Sequence, residues 1–143
     1  SSTTFASSAE VKTGTEAAKA IAPDALLAAL GFTARYSSGN QVITSGGPLT
    51  LTHGLGREPI LVNVWLKCLT AEYNYTVGMK LRPLNTNSDS GTDNRGLSLV
   101  PDSTNISIRF GTAAVVFNTL DKTAGTWVGL PNAKWALVVE AFA

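Results

Sequence analysis

The chain has 143 residues, 44% of them hydrophobic and 15% charged, with a net charge of +1. That length suits one domain, or a small domain with an appendage, and the composition argues for a packed core and against disorder. So even a charge balance offers no broad basic field for nucleic acid or for an anionic membrane.

In chain order, Ser8-Ala9-Glu10-Val11 starts a turn of helix that stops at Gly14. Pro23 to Leu30 predicts a second helix, because Pro suits the first helical turn, Asp24 suits its positive end and Gly31 is a stop. Ile21, Leu26, Leu27 and Leu30 give it one apolar side. About two turns of helix are too few to be stable alone in water, so this neck must pack on the following domain or on copies of itself.

After the polar break Tyr36-Ser37-Ser38-Gly39-Asn40 the hydrophobic period changes to two. Pro48 to Thr52 reads as a short strand with Leu49 and Leu51 on one side. Ile60 to Thr70 is the strongest strand, with Val62, Val64, Leu66 and Cys68 on one face and Asn63, Trp65, Lys67 and Leu69 on the other. Val77 to Arg82, Asn105 to Phe110, Ala113 to Phe117 and Trp135 to Phe142 follow, separated by Gly/Pro/Asn clusters at short spacing. The pattern is mainly β, an antiparallel sandwich or barrel-like domain over residues 40–143 behind a helical neck over residues 1–39. No helical periodicity of useful length lies between the strands, which argues against an α/β parallel sheet.

The single cysteine, Cys68, rules out an intrachain disulfide framework and fits assembly in a reducing cytoplasm. No apolar run reaches the roughly 18–20 residues that span a bilayer, so membrane insertion is not expected. The start lacks the charged region and apolar core of a signal peptide. With Ser at position 1 and Met79 the only methionine, the expectation is a fragment of a longer polypeptide.

Ser8-Ala9-Glu10-Val11-Lys12-Thr13-Gly14-Thr15-Glu16-Ala17-Ala18-Lys19-Ala20-Ile21-Ala22-Pro23 resembles a segment that recurs in bacteriophage tail-fibre proteins before a receptor-binding tip. Ala22 stands where that pattern often has Thr, which loses the better helix cap. Thr52-His53-Gly54-Leu55-Gly56-Arg57-Glu58-Pro59, followed by a long strand, is similar to a hairpin of small tail-fibre tip domains. The resemblance implies a homotrimer in the virion tail fibre, assembled in the host cytoplasm. Its tip would bind a bacterial surface polysaccharide, a lipopolysaccharide or an outer-membrane protein, and its N-terminal side would join other tail proteins. Three necks around a threefold axis can bury together what none can bury alone. The alternative is a structural trimerisation or attachment module of the tail without receptor binding.

The catalytic scan is empty: no G-x-S-x-G elbow, no H-E-x-x-H and no P-loop. One His and one Cys supply neither a zinc site nor a serine triad, and no cofactor is expected. His53 at its turn is expected to tie down the hairpin through backbone hydrogen bonds. Scattered carboxylates such as Glu58, Glu72, Asp102, Asp121 and Glu140 read as surface charges, although a pair of them would be the requirement for a glycan hydrolase. Asp89 and Asp93 do not follow the EF-hand spacing, so no metal is assigned.

Binding chemistry is expected in two places. The polar stretch from Pro83 to Gly96 supplies Asn87, Asp89, Asp93 and Asn94 for sugar hydroxyls and the Arg95 guanidinium for a phosphate or carboxylate. Tyr73, Tyr75 and Trp127, at strand ends, supply rings that can stack on the C–H face of a pyranose. Trp65, opposite the core face of its strand, is expected at an interface, under a second sheet or against a ligand.

Overall fold

The computed structural model describes residues 4–14, 19–20, 23–83 and 94–143. Helix α1 (Ser8–Thr13) begins at a reciprocal cap. The Ser7 hydroxyl accepts from the Glu10 amide at 3.3 Å, and the Glu10 carboxylate accepts from the Ser7 amide at 2.8 Å. Lys19 reaches the same carboxylate at 2.6 Å. The Lys19 hydrogen bond, followed by those from Ser7, holds the Glu10 carboxyl down at about 2. Gly14 ends the helix in the left-handed region at φ 64°, where a glycine has no Cβ penalty. Helix α2 (Pro23–Leu30) packs against α1, so the two short helices support each other.

The rest is mainly β with antiparallel sheets. Strands β1 (Arg35–Ser37), β2 (Pro48–Thr52), β3 (Leu61–Cys68), β4 (Lys80–Leu81), β5 (Leu97–Pro101), β6 (Asn105–Phe110), β7 (Phe117–Leu120), β8 (Trp127–Leu130) and β9 (Trp135–Phe142) follow in order. They form a four-stranded sheet β1-β9-β3-β4, a three-stranded sheet β2-β6-β5 and the β7–β8 hairpin. The long pairing of β3 with β9 runs from Leu61 opposite Phe142 to Cys68 opposite Trp135. β1 adds to the other edge of β9, and the amides of Thr33 and Ala34 donate to the carbonyl of Ala143. The last strand of the 1–39 segment is therefore part of this sheet.

One core joins the three sheets. Leu66, Cys68, Trp135, Leu137 and Val139 of the large sheet meet Leu51, Ile106, Ile108 and Phe110 of the second, with Phe117 and Leu130 of the hairpin between them. Val62, Val64, Leu66 and Cys68 face this core as the period-two pattern requires, and Cys68 is fully buried. Truncating Leu66, which has no exposed surface, should cost about 2–5 kcal/mol.

Two strand expectations need correction. Residues Ala113 to Val116 are β-prone but join no strand ladder: the Ala113 amide donates to the Asn94 carbonyl, the Val116 carbonyl accepts from the Gly96 amide, and side chains take groups between them. Asn132 donates to the Ala114 carbonyl and accepts from the Val116 amide, and Arg95 donates to the Val115 carbonyl. The strand begins only at Phe117. Likewise, Val77 to Arg82 contains a turn in which the Met79 amide donates to the Thr76 carbonyl, with Gly78 at φ 90°; Gly78 and Met79 bond the backbone of Cys68, and the regular ladder with β3 covers Lys80–Leu81.

Candidate functional site

The arrangement that brings most of the expected binding residues together is built on a turn. The amide of Tyr75 donates to the Glu72 carbonyl at 2.8 Å, and the amide of Glu72 donates back at 3.1 Å. The two central residues, Tyr73 and Asn74, have φ of 50° and 64°. A two-residue turn with both centres left-handed matches hairpin twist, and Asn tolerates that region well. A tyrosine there is uncommon and persists only where its surroundings hold it.

Those surroundings come from the tip of the β7–β8 hairpin. The Lys122 amide donates to the Tyr73 carbonyl at 3.1 Å. The Asn74 amide group donates to both carboxylate oxygens of Asp121, at 2.9 and 3.1 Å. Asp121 also accepts from the amides of Thr123 and Ala124, at 2.9 and 2.8 Å. The Ala124 amide, then Asn74, then the Thr123 amide hold the Asp121 carboxyl below its ordinary value. A charged acceptor for several donors makes this a stronger tie than a neutral turn would have.

Tyr75 carries the tie inward. Its hydroxyl donates to the Leu120 carbonyl at 2.8 Å, and its ring meets Trp135 edge-on with centroids 5.5 Å apart. The Trp135 indole nitrogen donates to Glu72 at 2.7 Å, and Lys134 reaches the other oxygen of that carboxylate at 2.9 Å. Leu120 and Trp127 are directly paired across the hairpin, so their side chains share one face. Both are exposed, Leu120 by 45% and Trp127 by 62%. The result is an open indole on a hairpin tip that is braced from the core.

Of the three aromatic residues expected at this end, Trp127 is the one mostly open. Tyr73 and Tyr75 are half-buried and pack on the core, so their role in the fold is to hold the platform. Asn94 and Arg95 lie elsewhere on the same hairpin's support. Asn94 donates to the Thr112 hydroxyl at 3.1 Å. Arg95 donates to the Val115 carbonyl at 2.8 Å and to Asn118 of β7 at 3.0 Å. It also helps line a cleft of about 170 Å³ with Ser98 and Arg109. Gly111 is required here, since a Cβ would stand 2.3 Å from the Asn94 carbonyl oxygen. Asn87, Asp89 and Asp93 lie outside the described residues.

His53 is buried and acts as expected of a structural residue. Its Nε2 donates to the Asp102 carbonyl at 2.9 Å while Nδ1 accepts from the Leu55 amide at 3.1 Å, which fixes the tautomer. One feature escaped the sequence reading, a groove of about 170 Å³ between Val42, Leu69 and Ala133, floored by Trp135. The only sequence signal for it is Val42, an apolar residue standing after the polar pair Asn40-Gln41. Among the described residues no group of three or more His, Cys, Asp or Glu is placed to hold a metal ion, and no helix is long and apolar enough to cross a membrane. No family model, curated protein or solved structure matches the chain.

Proposed function

We propose that the chain is the receptor-binding tip of a trimeric phage tail fibre, a β-sandwich that recognises a bacterial cell-surface glycan for host adsorption without catalysis. The observation that carries this reading is Trp127, an exposed indole on a hairpin tip tied down through Asn74, Asp121 and Tyr75. A flat ring held in advance can stack on a sugar with little further ordering, which is where binding energy is otherwise lost. The neck-like segment from Ser8 to Pro23 supplies the link to tail fibres and to a threefold assembly.

Incubating the purified chain with a panel of bacterial envelope polysaccharides tests it. Saturable binding to a member of the panel without release of new reducing ends is expected, and Trp127→Ala should weaken it by about 2 kcal/mol or more per site. Cleavage of the glycan would replace this reading with a hydrolase. Binding to other tail proteins and to no glycan would replace it with the attachment module.

A further inference from the structure

The near-neutral charge of the whole chain conceals one sheet face that is not neutral. Pairing places Arg35, Phe142 and Leu61 in one row across β1, β9 and β3, and Ser37, Glu140 and Asn63 in the next. Val138 and Trp65 form the following row, and Ala136, Lys67 and Lys80 the one after. Directly paired residues point to the same side, and this side is opposite the core face of Leu66 and Cys68. Arg82 joins the same side by standing over the Trp65 ring, its guanidinium carbon 4.6 Å from the centroid.

The face thus carries Arg35, Lys67, Lys80 and Arg82 against Glu140 alone. That is a surplus of three positive charges on a chain whose net charge is +1. Glu140 is shared, with Arg35 at 3.4 Å and Lys80 at 3.7 Å, and it cannot neutralise the face. Among the described residues Lys67 makes no ion pair. Arg82 lies against an indole and donates to Asn63 at 3.3 Å, an arrangement that leaves other edge donors of a planar guanidinium for a carboxylate.

We propose that this face is a docking surface for an anionic polysaccharide. Charge complementarity selects an acidic partner. A second copy of the same face is disfavoured, because faces that each carry four cations against Glu140 alone would bring a surplus of positive charge together. Exposed Leu61 and the half-buried rings of Trp65 and Phe142 between the cations match the apolar C–H faces of sugar rings, which a duplex phosphate backbone does not offer, whereas Val138 of the same face is buried. The choice of a polysaccharide over other polyanions rests on the glycan reading above, whereas the surface itself lies apart from Trp127.

Polygalacturonate is the probe, with dextran as the neutral control and double-stranded DNA as the competing polyanion. The chain should bind polygalacturonate and not dextran, and binding should weaken at least about tenfold between about 50 and about 500 mM salt as screening lengths shrink. Joint Lys67→Gln and Arg82→Gln replacement should weaken it about tenfold with an unchanged melting temperature, and Lys67→Gln alone gives a milder variant should the pair fail to fold. Glu140→Gln should tighten it. Equal binding of dextran, preferred binding of DNA, or full binding by the folded variants would overturn the proposal. Trp127→Ala should leave polygalacturonate binding intact, so failure here and failure of the hairpin reading are read separately.

Discussion

The Asn74 amide and the Asp121 carboxylate form the joint between two turns: both oxygens of Asp121 accept from Asn74, at 2.9 and 3.1 Å. One turn holds Tyr73 in a left-handed conformation, and the other ends the hairpin that carries Trp127. The joint converts two local turns into a single platform, and this makes its ionisation a handle on the exposed ring.

The Asp121 carboxyl lies below its ordinary value because the folded protein donates hydrogen bonds to its charged form. A depressed folded value means that the stabilisation is fully present above the ordinary aspartate range of about pH 4 and is lost as pH falls through the lower folded value. Protection of the Thr123 and Ala124 amides, relative to their intrinsic exchange at each pH, should therefore hold from neutral pH down to that range and fall below it. Asp121→Ala, which removes the acceptor, should give low protection there at all pH values. Equal protection in the two proteins at neutral pH would contradict the role given to the carboxylate.

His53 shows the complementary case, a polar residue that matters for the fold. Replacing it with Ala leaves the Leu55 amide and the Asp102 carbonyl without their partner and should cost about 1–3 kcal/mol, seen as a lower melting temperature. Binding by the folded fraction should be unchanged. Lost binding with an unaltered melting temperature would move the site to this hairpin.

The elements that were legible in the sequence are those whose signal is local. Pro48–Thr52, Asn105–Phe110 and Trp135–Phe142 carry long β-prone runs, and Pro23–Leu30 carries its own start and stop. Leu97–Pro101 was hidden because its alternation follows a polar stretch and ends in Pro, which is tolerated since β5 is an edge strand. Phe117–Leu120 was displaced because Arg95 and Asn132, distant in sequence, occupy the backbone groups before it. At the candidate site, residue types identified Tyr73, Tyr75 and Trp127, but burial divided them into two supports and one open ring. That division depends on Trp135 and Leu120, partners that no local pattern reveals.

Cys68 should behave as an inert core residue. It is fully buried, its thiol donates to the Thr70 carbonyl at 3.2 Å, and burial, with the Glu72 charge adding to it, pushes the thiol's pKa up. Both effects suppress the reactive thiolate. Native thiol labelling should be slow and should rise sharply in denaturant. Rapid native labelling would mean that the faces of β3 are reversed.

The proposed threefold assembly should show as a mass about three times the 14.9 kDa chain in light scattering, as closed cyclic symmetry requires. Trimming residues 1–31 removes both helices but keeps Phe32 against Phe142 and the Thr33 and Ala34 bonds to Ala143. The trimmed chain should keep its β signature and lose association. A monomeric full chain at micromolar concentration would rule out the trimer.

Trp127 and Tyr75 offer the most discriminating pair of substitutions. Trp127→Ala removes an exposed ring whose burial is small, so melting should change little while glycan binding falls by about 2 kcal/mol or more per site. In the proposed trimer, with three sites on one tip, the loss in cell adsorption should exceed the loss measured on a single soluble site, because avidity multiplies weak contacts. Tyr75→Phe keeps the ring on Trp135 and deletes only the hydrogen bond to Leu120, so it should cost about 1 kcal/mol of stability. Its effect on binding should be smaller than that of Trp127→Ala and should come from a looser hairpin, seen as faster amide exchange near Asp121. If Tyr75→Phe abolished binding while Trp127→Ala did not, the ligand would sit against the turn itself and the open indole would be incidental.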